Sequence, residues 1–339
     1  MTSADLPLRT ALPRGRGPIS RSILSAYATG QRGDVFRTER VAAADPLGED
    51  VQLALHLCYE LHYQGLQDVD AEWEWDPDLL HIRGMLERLF LKKLRECVAG
   101  GDDVTAVLLV EPVGVVSRHL LDHGEWWQMR EYFVHQSIYH HKETDPHAWV
   151  IPRLRGTVKA AMVAVQFDQF GAGHPDQART RRYADLMTSA RLSSGYLAYL
   201  DEVPACMLAT VNMMSMFGLH GRFRGALIGH FAAAEATTAS SALRLVQALQ
   251  RWESSPECSL FFTTPQQPMR DTVIGDLLAR EPGLAGDLVF GVQATELLER
   301  RFADHVLGCW RAGRTSLRSG RADPDRQGGV SVPAGKDYR

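Results

Sequence analysis

Apolar residues recur at spacings of three and four along most of the chain, and that period predicts helix after helix. Over 77–98, Leu79, Ile82, Leu86, Leu89, Phe90 and Leu94 share a face, with Asp76-Pro77 as N-cap and proline at the first helical position. Over 50–64, Leu53, Leu57, Leu61 and Tyr63 lie on roughly one face. Further helices are expected over 126–142, from Asp145-Pro146 onward, and over 151–169, 177–187, 195–200, 204–218, 223–249, 265–279 and 284–308. The run VTAVLLVEPVGVV at 104–116 reads as a strand pair or as a helix ending near Val110, since Pro112 and Gly114 break it. Every other segment carries the helical period, so the fold class is all-α.

The two ends read differently. Residues 1–45 are rich in Arg, Pro, Gly and Ser and lack a sustained period; they are expected to form a mostly disordered tail with one helical turn near 23–27. Residues 313–339 read as a second disordered tail, leaving a single helical domain at 46–312 without internal repeats. With 37 basic and 41 acidic side chains the formal net charge is -4, which argues against a nucleic-acid partner. No apolar run is long enough to span a membrane, and the N-terminus lacks the apolar core of a secretory signal. Cys58, Cys97, Cys206, Cys258 and Cys309 are odd in number, far apart and without a CxxC pair, which points to reduced thiols and a cytoplasmic location.

Three polar clusters interrupt the apolar pattern. In REYFVHQSIYHHKETDPHAW, Glu131 and His135 stand at i, i+4 and Glu143 lies three residues after His140. Carboxylate and imidazole at helical spacing can bind a divalent ion or a di-iron centre; the bland reading is an exposed pair and a helix end decorated with His and Lys. His230 and Glu235, five apart in a helix of small residues, share a face poorly, and His230 reads as a satisfied core histidine. Gln166, Asp168 and Gln169 precede a Gly-Ala-Gly turn that is no nucleotide fingerprint, since no strand precedes it. There is no nucleophile elbow, no HExxH and no zinc-finger spacing.

Four strings together carry a resemblance: CYELHYQGLQDVDAEWEWDPDLL, HKETDPHAWVIPRLRGTVKAAMV, DQFGAGHP, and YLDEVPACMLATVNMMSMFGLHGRFRGALIGHFAAAE. From about residue 51 to about residue 291 the chain resembles the actinobacterial iron-containing redox enzymes of the haem-oxygenase-like diiron oxidase superfamily. The resemblance implies a haem-oxygenase-like helical bundle of seven or more helices. Active members bind two irons, activate O2, and oxidise amino acids or fatty acids in natural-product pathways. Their ligand pattern is a Glu, then Glu-x9-His, then His-x3-Asp-x2-His.

Carried onto this chain, the first Glu falls on Glu143, the second on Gln169 and its His partner on Arg179. The last trio falls on Pro265, Met269 and Thr272, anchored by Phe261-Phe262. One retained ligand cannot hold two irons, and a guanidinium neither ligates nor tolerates a nearby cation. The expectation is therefore a metal-free, repurposed protein of secondary metabolism, with no cofactor and iron as the alternative. Glu143 and Arg179 are the candidate catalytic pair, expected to form a buried salt bridge. Tyr139, Gln166, Gln169, Phe170, Met213 and Thr272, with Met214 and Met216 nearby, are expected to line a cavity of a few hundred Å³. The expected partner is a small amino-acid-like or acyl carboxylate; a homodimer or a complex with a pathway protein is left open. Two alternatives stand beside this. One is a non-catalytic partner of an active homologue or carrier protein. The other is an iron oxidase using a different ligand set drawn from Glu131, His135, His230 and Glu235. Thiaminases of the same architecture do chemistry without metal, so the fold does not decide among them.

Overall fold

The computed structural model describes residues 9–33, 35–109, 114–252, 254–263 and 270–318, the last with side chains from Thr272 onward. Among them the helices run α1 Pro18–Thr29, α2 Glu49–Glu60, α3 Pro77–Cys97, α4 Val104–Leu108, α5 Val115–Asp122, α6 Trp126–His140 and α7 Thr144–Val150. They continue as α8 Gly156–Gln169, α9 Arg179–Ser189, α10 Ala205–Leu219, α11 Arg224–Arg251, α12 Pro256–Thr263, α13 Arg270–Arg280 and α14 Ala285–Arg311. The described residues contain no strand, only an isolated bridge between Thr10 and Leu66. The all-α class is therefore as the helical period implies. The ambiguous run supplies the short helices α4 and α5; residues 110–113 lie outside the described residues.

The core is organised around α10, which is apolar on every side and buried from Met207 to Gly218. It packs against α2, α6, α7, α11 and α14. The long helices α11 and α14 cross at close range. A methyl group at Gly229 would collide with the Leu288 carbonyl, and one at Gly291 with the Ala226 carbonyl. Only glycine permits that approach, and it brings His230 of α11 within 3.0 Å of Thr295 of α14. At the start of α3 the Asp76 carboxylate accepts from the Asp78 and Leu79 amides, the cap expected from Asp76-Pro77.

Four expectations are corrected. First, the described part of the N-terminal segment is not disordered: within α1, Ile19, Ile23, Ala26 and Tyr27 form a buried stripe against α2. The Asp50 carboxylate accepts from the Ile19 and Ser20 amides at 2.9 and 2.7 Å, satisfying the start of α1. Arg- and Gly-rich flanks hid this short apolar period. Second, residues 195–200 are turns, and α12, which was not expected, covers part of the site. Third, residues 314–318, expected to be disordered, dock against the helices. Ser316 is buried, and its amide and hydroxyl donate to Glu131 Oε2 at 2.9 and 2.8 Å, beside Trp310 Nε1 at 3.0 Å. His135 Nε2 donates to the Ser316 hydroxyl oxygen at 2.9 Å. Residues 319–339 lie outside the described residues. Fourth, Glu131 and His135 are thereby spent on holding the chain end, so they do not join His230 and Glu235 in an alternative metal set. No helix among the described residues is long and apolar enough to cross a membrane.

Candidate functional site

The site begins at the joint between α6 and α7. After His140 the chain makes a turn, and Glu143 occupies the N-cap position of α7 in helical conformation. The period of four then lines up Tyr139, Glu143 and His147 on one wall. Opposite stands the C-terminal turn of α8, which presents Gln166 and Gln169, three apart, to the same space. The third wall is α11, with Phe231, Ala234, Glu235 and Thr238. Arg179, the first residue of α9, closes the floor. A cation is disfavoured in the first turn of a helix, so local preference does not explain Arg179. Its partners do: Nε donates to Glu143 Oε1, and the guanidinium lies 4.2 Å from the centre of the Phe261 ring. The other carboxylate oxygen of Glu143 meets His140 Nδ1 at 2.6 Å. His140 itself packs against Tyr183 and Phe261.

Glu143 and Arg179 are thus a buried ion pair, with side chains 12% and 10% exposed. Burial by itself pushes the Glu143 carboxyl up. The Arg179 charge, followed by that of His140, outweighs burial and holds it at about 2. Such a carboxylate stays ionised and is a poor proton acceptor near neutrality.

The cavity, partly open to solvent, measures about 60 Å³. It touches Glu143, Arg179, Tyr139, Gln166 and Gln169 but is far smaller than the few hundred Å³ expected, because the guanidinium and the aromatic rings beside it fill the floor. Three expected neighbours are elsewhere. Phe170 is 48% exposed: with Val163 and Phe167 it forms the outward stripe of α8 and its exit, turned away from Gln166 and Gln169. Met213 is fully buried in the core around α10 and does not reach the cavity, nor do Met214 and Met216. Thr272 is exposed, because α13 turns Val273, Ile274 and Leu277 inward instead. Pro265 and Met269 lie outside the described residues.

The residue missed in the sequence is His147. Its Nδ1 lies 2.7 Å from the Glu143 carbonyl oxygen, which can only accept, so Nδ1 carries the proton and Nε2 is a bare lone pair. The Thr295 hydroxyl donates to the Gly291 carbonyl, so His230 Nδ1 donates to Thr295, leaving His230 Nε2 bare as well. The two rings are parallel within 5° and 5.6 Å apart. Burial pushes both imidazoles down, His230 to about 3, so both are neutral near pH 7. His147 Nε2, His230 Nε2, Thr144 Oγ1, Gln166 Oε1 and Gln169 Oε1 are buried with no hydrogen-bond partner among the described residues. The spacing of Glu143 and His147, four apart in HKETDPHAW, was the available signal.

A family model described as iron-containing redox enzyme, of haem-oxygenase type, matches residues 130–300, half of the chain. The chain belongs to that family. The string at 58–80 that shared in the resemblance lies before the matched region. A search of curated proteins returned no match. The residues present do not fit the iron that the family name implies. Among the described residues no group of three or more His, Cys, Asp or Glu could hold a metal ion. Glu143 already has a partner on each oxygen, one of them a permanent cation, and Gln169 is a weak neutral donor.

Proposed function

We propose that this chain is a metal-free member of the iron-containing redox enzyme family that binds a small polar molecule in the cavity between α7, α8 and α11, as a cofactor-independent enzyme or as a binder. What carries the reading is the Glu143–Arg179 pair. It stands where the resemblance puts iron ligands, yet the space above it keeps buried polar atoms without a hydrogen-bond partner among the described residues. A merely inactive scaffold gains by filling such a space with apolar side chains, since each unpaired buried polar atom costs roughly 1–3 kcal/mol. The sequence resemblance suggests a small amino-acid-like or acyl carboxylate substrate and a role in secondary metabolism, and the scattered cysteines a cytoplasmic setting. In this reading Glu143 and Arg179 set the electrostatics of the floor, and Tyr139, Gln166 and Gln169 orient the ligand. His147 Nε2, neutral and unpartnered, is the group able to accept a hydrogen bond or a proton from it.

The test is elemental analysis of protein expressed in iron-replete medium, followed by a thermal-shift screen of amino acids, amines and acyl carboxylates. Iron far below two per chain, with at least one ligand raising the melting temperature of the wild type and not of Arg179→Ala, is the expected outcome. Iron near two per chain overturns the proposal. Equal shifts in both proteins favour the non-catalytic partner instead.

A further inference from the structure

Charges around α3 are sorted by sign. Residues 68–80 carry Asp68, Asp70, Glu72, Glu74, Asp76 and Asp78 and no basic side chain, whereas residues 88–95 carry Arg88, Lys92, Lys93 and Arg95 and no acidic one. The helix dipole does not account for this, because its effect fades within the first and last turns. Four of the acids lie before the N-cap Asp76, and Arg88 stands more than two turns before the end at Cys97. Part of the acidic charge is met inside the chain: Arg32 reaches Asp70 and Asp76 at 3.3 and 3.5 Å, and His62 lies 2.9 Å from Glu74. Asp68, Glu72 and Asp78 have no cationic partner among the described residues.

The basic end is a groove of about 460 Å³, open to solvent, lined by Arg88, Leu91, Lys92, Arg95, Glu96 and Arg222. Lys92 and Glu96 are exposed and 3.9 Å apart. The Arg95 and Arg222 guanidiniums lie over the Phe290 and Phe223 rings, at 4.8 and 4.6 Å, which positions them without neutralising them. Arg88, Arg95 and Arg222 have no carboxylate partner among the described residues. The helical period puts Asp78, His81, Arg88, Lys92 and Arg95 on one face, and all five are exposed. Gly84 stands in the middle of that face, in a helix interior where glycine is unfavourable relative to alanine. A methyl group there would meet only the flexible tip of Arg88, at 3.4 Å, so nothing inside the fold demands glycine. The close approach of another backbone would demand it.

We infer that this face of α3 binds a second copy of the chain, antiparallel, about a two-fold axis at Gly84. Turning the helix about that point lays the acidic end of each copy on the basic end of the other. Asp78 comes within reach of the partner's Lys92, and the acids that precede the helix face the partner's groove. Each copy gives and receives the same contacts, so the assembly closes at two. The face is 21 residues long, about 31 Å, and pairing two of them approaches the low end, about 1,200 Å², of specific interfaces. The dimer is therefore weak, concentration-dependent and sensitive to salt. It is independent of what the cavity between α7, α8 and α11 binds.

Sedimentation equilibrium of the full-length protein from about 1 to about 300 µM tests this. The expected result is a monomer–dimer equilibrium with Kd on the order of 10–100 µM, weakened about tenfold between about 50 and about 500 mM salt. The double variant Arg88→Glu/Lys92→Glu is expected to be monomeric throughout, and so is Glu72→Lys/Asp78→Lys. Mixing the two in equal amounts restores a dimer, because each then offers the sign the other lacks. Gly84→Trp, which changes no charge, is also expected to be monomeric. Circular dichroism of each variant is compared with that of the wild type, and the restored dimer shows independently that both charge variants are folded. A wild type that stays monomeric at about 300 µM overturns the inference. So does a dimer indifferent to either charge reversal or to Gly84→Trp, or a mixture of folded variants that stays monomeric. Masses that grow past two copies also overturn it, since they mark a head-to-tail polymer.

Discussion

Replacing Arg179 by methionine keeps most of the side-chain volume and removes the charge that neutralises Glu143. The carboxylate is left 12% exposed, with His140 as its remaining partner. Its depression from 4.5 to about 2 against opposing burial corresponds to about 3 kcal/mol of net preference for the ionised form in the folded protein. Removing one member of a buried pair typically costs about 3–5 kcal/mol, since the other is stranded. The contact of Arg179 with Phe261 adds about 1 kcal/mol. Arg179→Met should therefore lose about 4 kcal/mol and lower the melting temperature by about 6 °C. Glu143→Gln in the Arg179→Met background removes the stranded charge, and the double variant should recover to within about 2 kcal/mol of wild type. Guanidinium denaturation of all four proteins at pH 7.5 closes a double-mutant cycle. A loss below about 1 kcal/mol for Arg179→Met, the size of an exposed pair, would refute the reasoning. So would a double variant that merely adds the two single losses.

Other expectations follow from the same structure. Acid should destabilise the protein through its buried histidines, in part offset by Asp145 and Glu299, whose carboxyls burial pushes up to about 6 and about 7. Burial holds His135 and His230 near 3 and His141 near 4, below the ordinary 6.5, so the unfolded chain takes up protons that the folded one refuses. Their contribution is present at neutral pH and is lost as pH falls below 6.5, by about 2 kcal/mol for each histidine at pH 5; equal denaturation midpoints at pH 7.5 and 5 would contradict this. The Glu143 contribution behaves alike at lower pH, fully present above 4.5 and lost as pH falls toward about 2. Ser316→Ala takes one donor from Glu131 and the acceptor from His135, and should cost about 2 kcal/mol in denaturant melts; a neutral effect would show that the docked chain end contributes nothing.

The helical class and most helix spans were legible in the sequence because burial on one face imposes a period that composition does not obscure. Where local cues conflicted, the reading failed. Ile19, Ile23 and Tyr27 carry a helical stripe inside a stretch whose Arg, Gly and Pro content resembles a tail. The pairing of Glu143 with Arg179 was legible because an isolated charge from each, thirty-six residues apart, had to find a partner once the metal ligands were gone. The cavity neighbours were not. Gln169 and Phe170 are adjacent in sequence, but one helical step of 100° separates the cavity from solvent. The free nitrogens of His147 and His230 were also invisible, since they depend on which oxygen each Nδ1 meets, Glu143 backbone and Thr295 hydroxyl, and only the packed helices decide that.

In the metal-free reading proposed above, the joint between α6 and α7 explains how the chamber keeps its shape. Two consecutive residues, Lys142 and Glu143, bury opposite charges and send them to different neighbours. Lys142, fully buried, pairs with Glu60 of α2 and lies 4.3 Å from the centre of the Tyr63 ring. Glu143 pairs with Arg179 of α9. Sliding the joint by one residue would strand four charges at once, each at a cost of several kcal/mol. The register of Tyr139, Glu143, Thr144 and His147 is therefore locked by two ion pairs on two sides of the chain, and the cavity wall they form is set by folding. In a metal site, the ion gathers its ligands and contributes folding energy itself. Here the permanent charge of Arg179 takes that structural part. The unpartnered acceptors above it are consequently held in place before any ligand arrives, which is the condition under which a small molecule spends least of its binding energy on ordering its site.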